Sequence, residues 1–360
     1  MSGGLDPRDV NWISTHNKVI LMLKGGLVGF GRMGITHFSI LNSHPDVKFM
    51  AACDSSGPMM KLVNKHLGLA TFDDSERMYR ECELDFVIVS TPTPDHAPQV
   101  TTALTRGMHV FVEKPFALTP EDGAAVLGAL STVKVVNQVG YVLRFNEIME
   151  FTKSLLDGGT LGEMIHFRIE VSSATVLKDV ESGWRGEKKR GGGALFEMGS
   201  HAANLVSYLF GAPESVSGTV MRSIYSKGVE DSVATTLNYT SGLYGTLAVN
   251  WSDLTQRKPY YRVEILCRGG KVISDLHESK VYFQQKPSDP RFEQGWNKIY
   301  VTDLAKPVRF YLRGYEFTRQ LDWFIDEIAG RSPTNRSTFA DAYVTDTLLH
   351  KIAADGNSRV

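Results

Sequence analysis

The stretch GLVGFGRMG, residues 26–34, contains three glycines in the spacing G-x-G-x-x-G. A chain with 33 glycines can produce this triplet by accident, so its surroundings must decide what it means. An apolar run ends at Val28 just before the turn, and apolar residues recur at helical spacing from 33 to 41. The order strand, glycine turn, helix predicts a dinucleotide site rather than a plain β-turn-α loop.

A carboxylate follows at the distance expected for such a site. The apolar run VKFMAAC, residues 47–53, predicts the next parallel strand, and Asp54 comes directly after it, 20 residues beyond Gly34. An acid at this offset binds a ribose hydroxyl, while the glycines let the backbone approach the pyrophosphate and free N–H groups at the helix start hold the anion. Asp54 would repel a 2'-phosphate and no arginine follows it in CDSSG, so NAD is predicted in preference to NADP.

Composition limits the class of protein. With 360 residues and 42% hydrophobic residues, the chain can fill two cores. A net charge of −1, without a long run of like charge, gives no reason to expect nucleic acid or a membrane as a partner. The three cysteines form no C-x-x-C pair, so a reducing cytoplasm is predicted without a zinc site or a disulfide framework. Residues 1–20 lack the pattern of a signal peptide and are interpreted as an N-terminal extension.

The hydrophobic pattern divides the rest of the chain into two α/β domains. Residues 21–142 alternate apolar strands with helices, which predicts a doubly wound, parallel Rossmann domain for NAD. Residues 143–360 predict an α+β domain for substrate binding and oligomerisation, with an open, mainly antiparallel sheet and a Gly269-Gly270 hairpin turn. The helices predicted in this domain cover residues 194–210, 314–328 and 338–352.

Too few helices follow the open sheet to cover both of its faces. Its alternating apolar residues include Trp251, and an uncovered apolar face predicts a homodimer or homotetramer formed through this sheet.

One edge of the predicted parallel sheet collects the residues that would bind the cofactor, because a doubly wound sheet binds ligands at the carboxyl ends of its strands. Lys114 ends a buried strand before Pro115, so its ammonium group is expected beside the nicotinamide; the alternative is a solvated lysine at a strand end. The predicted cofactor contacts are Gly29, Phe30, Gly31, Arg32, Met33, Gly34, Asp54, Ser55, Thr91, Pro92, His96, Glu113 and Lys114.

A second group of candidate residues lies in GGGALFEMGSHAANLVSYLFG, residues 191–211. On a continuous helix, Glu197, His201, Asn204 and Tyr208 would form one polar stripe beside an apolar face, as in the wall of a cleft. The alternative is a surface Glu-His pair of structural value only. A metal site is not predicted, since no cluster elsewhere supplies a third ligand.

In combination, GLVGFGRMG, STPTPDH, HVFVEKPFAL, GYVLRFN and GGGALFEMGSH resemble the Gfo/Idh/MocA family, which includes glucose-fructose oxidoreductase and inositol dehydrogenase. The resemblance runs from about residue 24 to 352. It implies a Rossmann domain, a C-terminal domain whose open sheet often forms the subunit interface, and a Glu-Lys-Pro motif whose Lys-Pro peptide is often cis.

The resemblance also implies roles for individual residues. Lys114 is the catalytic lysine and His201 the acid/base, while Glu197 stands where the family usually has Asp and Asn204 where another Asp is common. The predicted catalytic residues are thus Lys114, His201 and Glu197, and the predicted substrate contacts are Lys114, Tyr141, Arg144, Trp184, Arg185, His201 and Asn204.

These residues predict an NAD-dependent oxidoreductase acting on a secondary alcohol or ketone of a sugar, cyclitol or sugar derivative. His201 would accept the hydroxyl proton, Lys114 would orient the oxygen, and Glu197 would orient the imidazole. Two alternatives stay open: an enzyme that uses NAD without net redox turnover, such as a glycosidase or epimerase, and a non-catalytic NAD-binding regulator. The presence of both Lys114 and His201 disfavours the regulator.

Overall fold

The computed structural model describes residues 22–175, 183–256, 258–331 and 336–358. The predicted N-terminal extension, residues 1–20, lies outside the described residues.

The first half of the chain forms the predicted parallel sheet. Its strands are β1 (Leu23–Val28), β2 (Val47–Cys53), β3 (Ala70–Phe72), β4 (Phe86–Val89), β5 (His109–Val112) and β6 (Asn137–Val139). Their helices are α1 (Arg32–Leu41), α2 (Gly57–Leu67), α3 (Ser75–Glu81), α4 (His96–Thr105) and α5 (Pro120–Leu130). The strand order β3-β2-β1-β4-β5-β6 reverses between β1 and β4, as in a Rossmann domain, so this prediction is confirmed.

The second half builds a larger sheet with helices on one side. Its strands are β7 (Met164–Ser172), β8 (Ser215–Arg222), β9 (Ser232–Asn238), β10 (Tyr244–Asn250), β11 (Tyr260–Cys267), β12 (Gly270–Ser274), β13 (Glu278–Phe283) and β14 (Gly295–Tyr300). The helices are α6 (Glu147–Asp157), α7 (Ala194–Glu197), α8 (Gly199–Phe210), α9 (Val301–Leu304), α10 (Tyr315–Ile328) and α11 (Phe339–Asn357).

This second sheet has the order β14-β13-β12-β11-β7-β10-β9-β8. Only β7 and β10 pair in parallel, and the other neighbours are antiparallel. The predicted open, mainly antiparallel sheet is therefore confirmed.

The apolar residues that alternate along this sheet, Trp251 among them, lie on the face that the helices cover. Trp251 has no exposed surface, and its indole Nε1 donates a hydrogen bond to Asp231 at 2.5 Å. Val233, Leu237 and Leu247 are at most 1% exposed. Alternation places all side chains of one parity on one face, and here the apolar parity faces the helices, so the oligomerisation argument built on Trp251 is wrong.

The predicted hairpin turn is also displaced by one residue. Cys267 pairs with Gly270, so the loop consists of Arg268 and Gly269. Gly270 is the first residue of β12. The backbone of β13 runs close to it, and a Cβ atom on Gly270 would lie 2.0 Å from the carbonyl oxygen of Tyr282.

Two helices from the C-terminal part of the chain complete the core of the Rossmann domain. Leu321 and Phe324 of α10 pack in the cluster formed by β1 and α1. Phe339 and Ala342 of α11 pack against the other side of the parallel sheet. The predicted boundary near residue 142 therefore separates the two sheets but not the two hydrophobic cores.

Candidate functional site

The glycine turn between β1 and α1 has the geometry of a phosphate-binding loop. Gly29 has φ 89°, and a Cβ atom there would lie 2.7 Å from the Ser90 backbone. A Cβ atom on Gly34 would lie 2.0 Å from the Gly29 carbonyl oxygen, whereas one on Gly31 would meet nothing within 4 Å. Gly31 caps α1 without a side-chain hydrogen bond, so the first N–H groups of the helix remain available to an anion. This turn fits the pyrophosphate of NAD.

Asp54 holds the turn as well as facing the site. Its carboxylate accepts hydrogen bonds from the backbone N–H of Phe30 at 2.6 Å and of Ser56 at 2.8 Å. The carboxylate therefore lies beside the glycine turn, where the ribose position was predicted. Ser55, beside it, is exposed, as are Arg32 and Pro92, while Met33 is half-buried.

Behind Lys114, Glu113 and His37 form a buried ion pair. The sequence predicted Glu113 as a site residue but not His37. Glu113 accepts a hydrogen bond from the backbone N–H of Lys114 at 3.1 Å, and its other oxygen lies 2.6 Å from Nε2 of His37. Burial alone would raise the pKa of Glu113, but the hydrogen bond and charge of His37, together with the charge of Lys114, hold it below its usual value. His37 lies on α1 within the helical pattern, and only its contact in the folded chain distinguishes it from a core residue.

The Lys114–Pro115 peptide is cis, as the family resemblance implied. His96, predicted to contact the cofactor, is 1% exposed and supports this turn instead: its ring nitrogens lie 2.8 Å from the carbonyl oxygen of Pro115 and 3.0 Å from that of Thr91. Both nitrogens are therefore used inside the protein, and a contact of His96 with the cofactor stays a prediction. The hydroxyl of Thr91 is buried with no hydrogen-bond partner among the described residues.

Lys114 reaches from the Rossmann domain to the second domain. Its Nζ donates a hydrogen bond to the backbone carbonyl of Glu197 at 2.6 Å. The solvated-lysine alternative is therefore excluded, because the ammonium group is committed to a specific acceptor at the junction of the two sheets.

The helix predicted over residues 194–210 is broken at Met198 into α7 and α8. Glu197 ends the first piece and His201 lies in the first turn of the second. The predicted continuous stripe is thus interrupted. The break turns the Glu197 carbonyl oxygen toward Lys114.

His201 occupies a largely apolar position beside this junction. Its ring lies edge-on to the rings of Tyr141 and Tyr261, with centroids 6.5 Å away in each case. Its Nδ1 is buried and has no hydrogen-bond partner among the described residues. Burial, and then the positive charge of Lys114, lower the pKa of His201 to about 3. The imidazole is therefore neutral at physiological pH.

Glu197 pairs with an arginine rather than with His201. Its Oε1 lies 3.1 Å from Nη2 of Arg185, whose guanidinium also lies 4.6 Å from the centroid of the Trp184 ring. Burial would raise the pKa of Glu197, but the charges of Lys114 and Arg185 lower it below its usual value. The carboxylate is ionised, and the predicted orienting contact to the imidazole is replaced by the ion pair.

Three predicted substrate contacts are buried with partners inside the protein. Arg144 donates from Nε to the side-chain oxygen of Asn204 at 2.9 Å, and Asn204 donates to Thr345 at 3.0 Å. The hydroxyl of Tyr141 lies 3.2 Å from a carboxylate oxygen of Asp346. Arg144 and Asn204, at 4% and 1% exposure, are held by partners inside the protein, and their contact with substrate stays a prediction. Tyr141 borders the site only through its ring.

No group of His, Cys, Asp and Glu side chains that could hold a metal occurs in the part of the chain that the structure describes. Among the same residues, no helix is both long and apolar enough to cross a membrane.

Comparison with known families matches both halves of the chain. A family model described as "Oxidoreductase family, NAD-binding Rossmann fold" matches residues 23–141, and one described as "GFO/IDH/MocA C-terminal domain" matches residues 149–273.

Two curated relatives cover most of the chain. The scyllo-inositol 2-dehydrogenase (NAD(+)) of Bacillus subtilis is 25% identical over 294 residues, which is 77% of this chain and 83% of that protein. The 2,7-anhydro-N-acetylneuraminate hydratase of Escherichia coli is 27% identical over 267 residues, 72% of this chain and 69% of that protein.

The fold is also found in solved structures. Levoglucosan dehydrogenase in complex with NADH and levoglucosan superposes with a TM-score of 0.82 at 21% identity, over 94% of this chain and 98% of that chain. This likeness concerns the fold.

Proposed function

Because the chain belongs to the Gfo/Idh/MocA family of NAD-binding Rossmann oxidoreductases, we propose that it interconverts a secondary alcohol and a ketone of a sugar, cyclitol or sugar derivative. The observation that carries the proposal is the 2.6 Å hydrogen bond from Lys114 Nζ to the Glu197 carbonyl. This bond brings a cation from the cofactor edge of the first sheet to the segment that carries His201.

Oxidation of an alcohol removes a hydride from carbon and a proton from oxygen. When bound, NAD supplies the hydride acceptor. His201 can accept the hydroxyl proton because its imidazole is neutral at physiological pH. The ammonium group of Lys114 lies near enough to depress the pKa of His201, so it can bind the same oxygen and stabilise the negative charge that develops there.

Glu197 and Arg185 shape this site as an ion pair. The charge of Glu197 raises the pKa of His201, and the contact with Arg185 at 3.1 Å offsets part of that negative charge. We therefore assign Glu197 a positioning role. Its carboxylate holds Arg185, and this ion pair keeps the backbone carbonyl of Glu197 in place.

The names of the relatives support the substrate class. Scyllo-inositol is a cyclitol, and levoglucosan dehydrogenase acts on an anhydrosugar by its name. Preference for NAD over NADP rests on Asp54, whose carboxylate is held at the turn by two backbone N–H groups and presents negative charge where a 2'-phosphate would lie.

One relative is named as a hydratase, so a reaction without net redox turnover is the alternative to be tested. The test is an assay of inositols, anhydrosugars, aldoses and keto-sugars with NAD and with NADH, monitored by absorbance of reduced nicotinamide and by product analysis. Net NADH formation with at least one polyol, or net consumption with its ketone, is expected. Product formed with no net change in NADH would contradict the dehydrogenase proposal.

A further inference from the structure

One residue near the dinucleotide site has a backbone conformation that its side chain disfavours. Arg313 has φ 68° and is the only non-glycine residue with positive φ in the described part of the chain. A residue with a Cβ atom adopts this left-handed region at an energetic cost that glycine avoids. Strain of this kind persists only where the surrounding structure imposes it, and it concentrates at ligand-binding sites.

The chain on both sides of Arg313 is anchored to the Rossmann domain. Arg309 donates from Nη1 to the carbonyl oxygen of Ile40 at 2.9 Å, at the end of α1. Phe310 and Leu312 pack against the hydrophobic cluster that contains Phe30 of the glycine turn. These contacts bring a segment of the C-terminal part of the chain alongside α1, with Arg313 near its N-terminal end.

The guanidinium group of Arg313 lies within electrostatic range of two parts of the dinucleotide site. Partial burial and the charge of Arg32 lower its pKa, and the charge of Glu113 raises it, so both groups are near enough to act on it. Arg32 begins α1 at the glycine turn, and Glu113 follows β5 next to Lys114. Arg313 is therefore near enough to sense both the glycine turn and the residue before Lys114.

Arg32 and Arg313 are like charges near enough to act on one another. Within the described ranges neither guanidinium forms an ion pair with a carboxylate, and Glu113 is already bound to His37 at 2.6 Å. Arg313 has a side-chain contact with the ring of Phe317, whose centroid is 5.5 Å from Cζ. Two repelling cations beside the free N–H groups of a helix start are the arrangement that a doubly charged phosphate ligand stabilises.

We propose that Arg313, together with Arg32, binds the pyrophosphate of the dinucleotide, so that a segment outside the Rossmann sequence completes the cofactor site. The inference rests on the dinucleotide site of the proposed function but not on its substrate. Cofactor binding then offsets the conformational cost of the left-handed backbone at Arg313.

This assignment predicts opposite effects on stability and on binding. Arg313→Gly and Arg313→Asn place residues that tolerate positive φ, so the melting temperature of the ligand-free protein should stay the same or rise by about 1–3 °C. The Kd for NADH, measured by calorimetry, should increase roughly 10- to 100-fold, because a charged hydrogen-bond donor to phosphate is lost. Arg313→Lys should fall between these variants and the wild type, since it keeps the charge but not the planar fork.

Arg268→Asn is the matched control, because Arg268 is an exposed arginine of the C-terminal sheet paired with Glu163 and should leave NADH binding unchanged. An Arg313→Asn protein that is folded and binds NADH within about twofold of wild type would overturn the proposal. In Arg313→Asn, we expect the binding of NADH, NADPH and ADP to weaken equally, with the binding of AMP unchanged. If only the binding of NADPH weakened, Arg313 would contact a 2'-phosphate instead. Wild-type protein that binds NADH but turns over no sugar would contradict only the proposed function.

Discussion

Lys114 Nζ and the backbone carbonyl of Glu197 are joined by a 2.6 Å hydrogen bond that connects the end of β5 to the break between α7 and α8. The bond places a cation of the cofactor edge beside the helix that carries His201. The Glu197 carbonyl oxygen is available for this bond because α7 ends at Glu197. In a continuous helix the same oxygen would accept a hydrogen bond from a backbone N–H of the next turn.

The proposed proton transfer predicts large losses of turnover. Lys114→Ala and His201→Ala should each lower kcat by roughly 10²- to 10⁴-fold, and the double variant should lose little more than either single one, because the two groups act on one oxygen. Steady-state kinetics measures this, with exposed Lys134→Ala and His66→Ala as controls. A His201→Ala enzyme with near wild-type turnover would leave His201 as a structural histidine.

Lys114 should also control the ionisation of His201. Its positive charge is the second cause, after burial, of the pKa of about 3, so Lys114→Met should raise the pKa of His201 while burial keeps it below the ordinary value of about 6.5. The measurement is an NMR titration of the imidazole resonances, assigned with His201→Gln. An unchanged pKa in Lys114→Met would show that the two groups do not interact.

His201 should make the protein sensitive to acid. The unfolded chain binds a proton at His201 below about pH 6.5, while the folded protein does so only near pH 3, so the free energy of unfolding falls as the pH drops through this window. In His201→Gln this contribution is absent, and the loss of stability between pH 6.5 and 4 should be smaller. Urea denaturation across this range tests the prediction, and parallel curves for the two proteins would refute it.

Glu197 variants separate its charge from its length. Glu197→Gln removes the ion pair with Arg185 and should lower kcat by about tenfold, whereas Glu197→Asp retains the charge and should lower it less. Equal activity of Glu197→Gln and wild type would show that the carboxylate charge has no role. Glu187→Gln, which affects an exposed pair with Arg190, is the control.

Cofactor preference should follow from Asp54. Wild-type kcat/KM is expected to be at least about tenfold higher with NAD than with NADP, equivalent to about 1.4 kcal/mol. Asp54→Ser should narrow that ratio and also weaken binding of both dinucleotides, because the carboxylate holds the N–H groups of Phe30 and Ser56. Equal efficiency with NADP in the wild type would exclude the predicted role of Asp54.

Self-association through the second sheet stays a prediction, now carried by other residues. The open face exposes Tyr244, Tyr282 and Trp296 by 47%, 38% and 58%. We expect light scattering to give a multiple of the 39.9 kDa chain mass, and Tyr244→Glu combined with Trp296→Glu to shift the protein toward the monomer. A monomer at micromolar concentration in the wild type would contradict this prediction.

The sequence determined the features that depend on local pattern. The spacing of Gly29, Gly31 and Gly34 between an apolar strand and a helix predicted the turn and the Rossmann sheet. Gly29 has positive φ, and a Cβ atom on Gly29 or Gly34 would collide with backbone atoms. The alternation of apolar and polar residues along the chain predicted the second sheet. Lys114 and His201 were recognisable from their motifs.

The tertiary structure alone decided which side chains meet. Helical spacing placed Glu197 and His201 on one stripe, but the helix is broken at Met198. The Glu197 carboxylate pairs with Arg185, and its carbonyl oxygen accepts a hydrogen bond from Lys114. Alternation along the strands established two faces without saying which one the helices cover, so Trp251 was placed on the wrong side. His37 meets Glu113, which lies 76 residues further along the chain, and the contact proposed for Arg313 comes from the segment before α10. Such contacts depend on how the elements pack rather than on any local spacing.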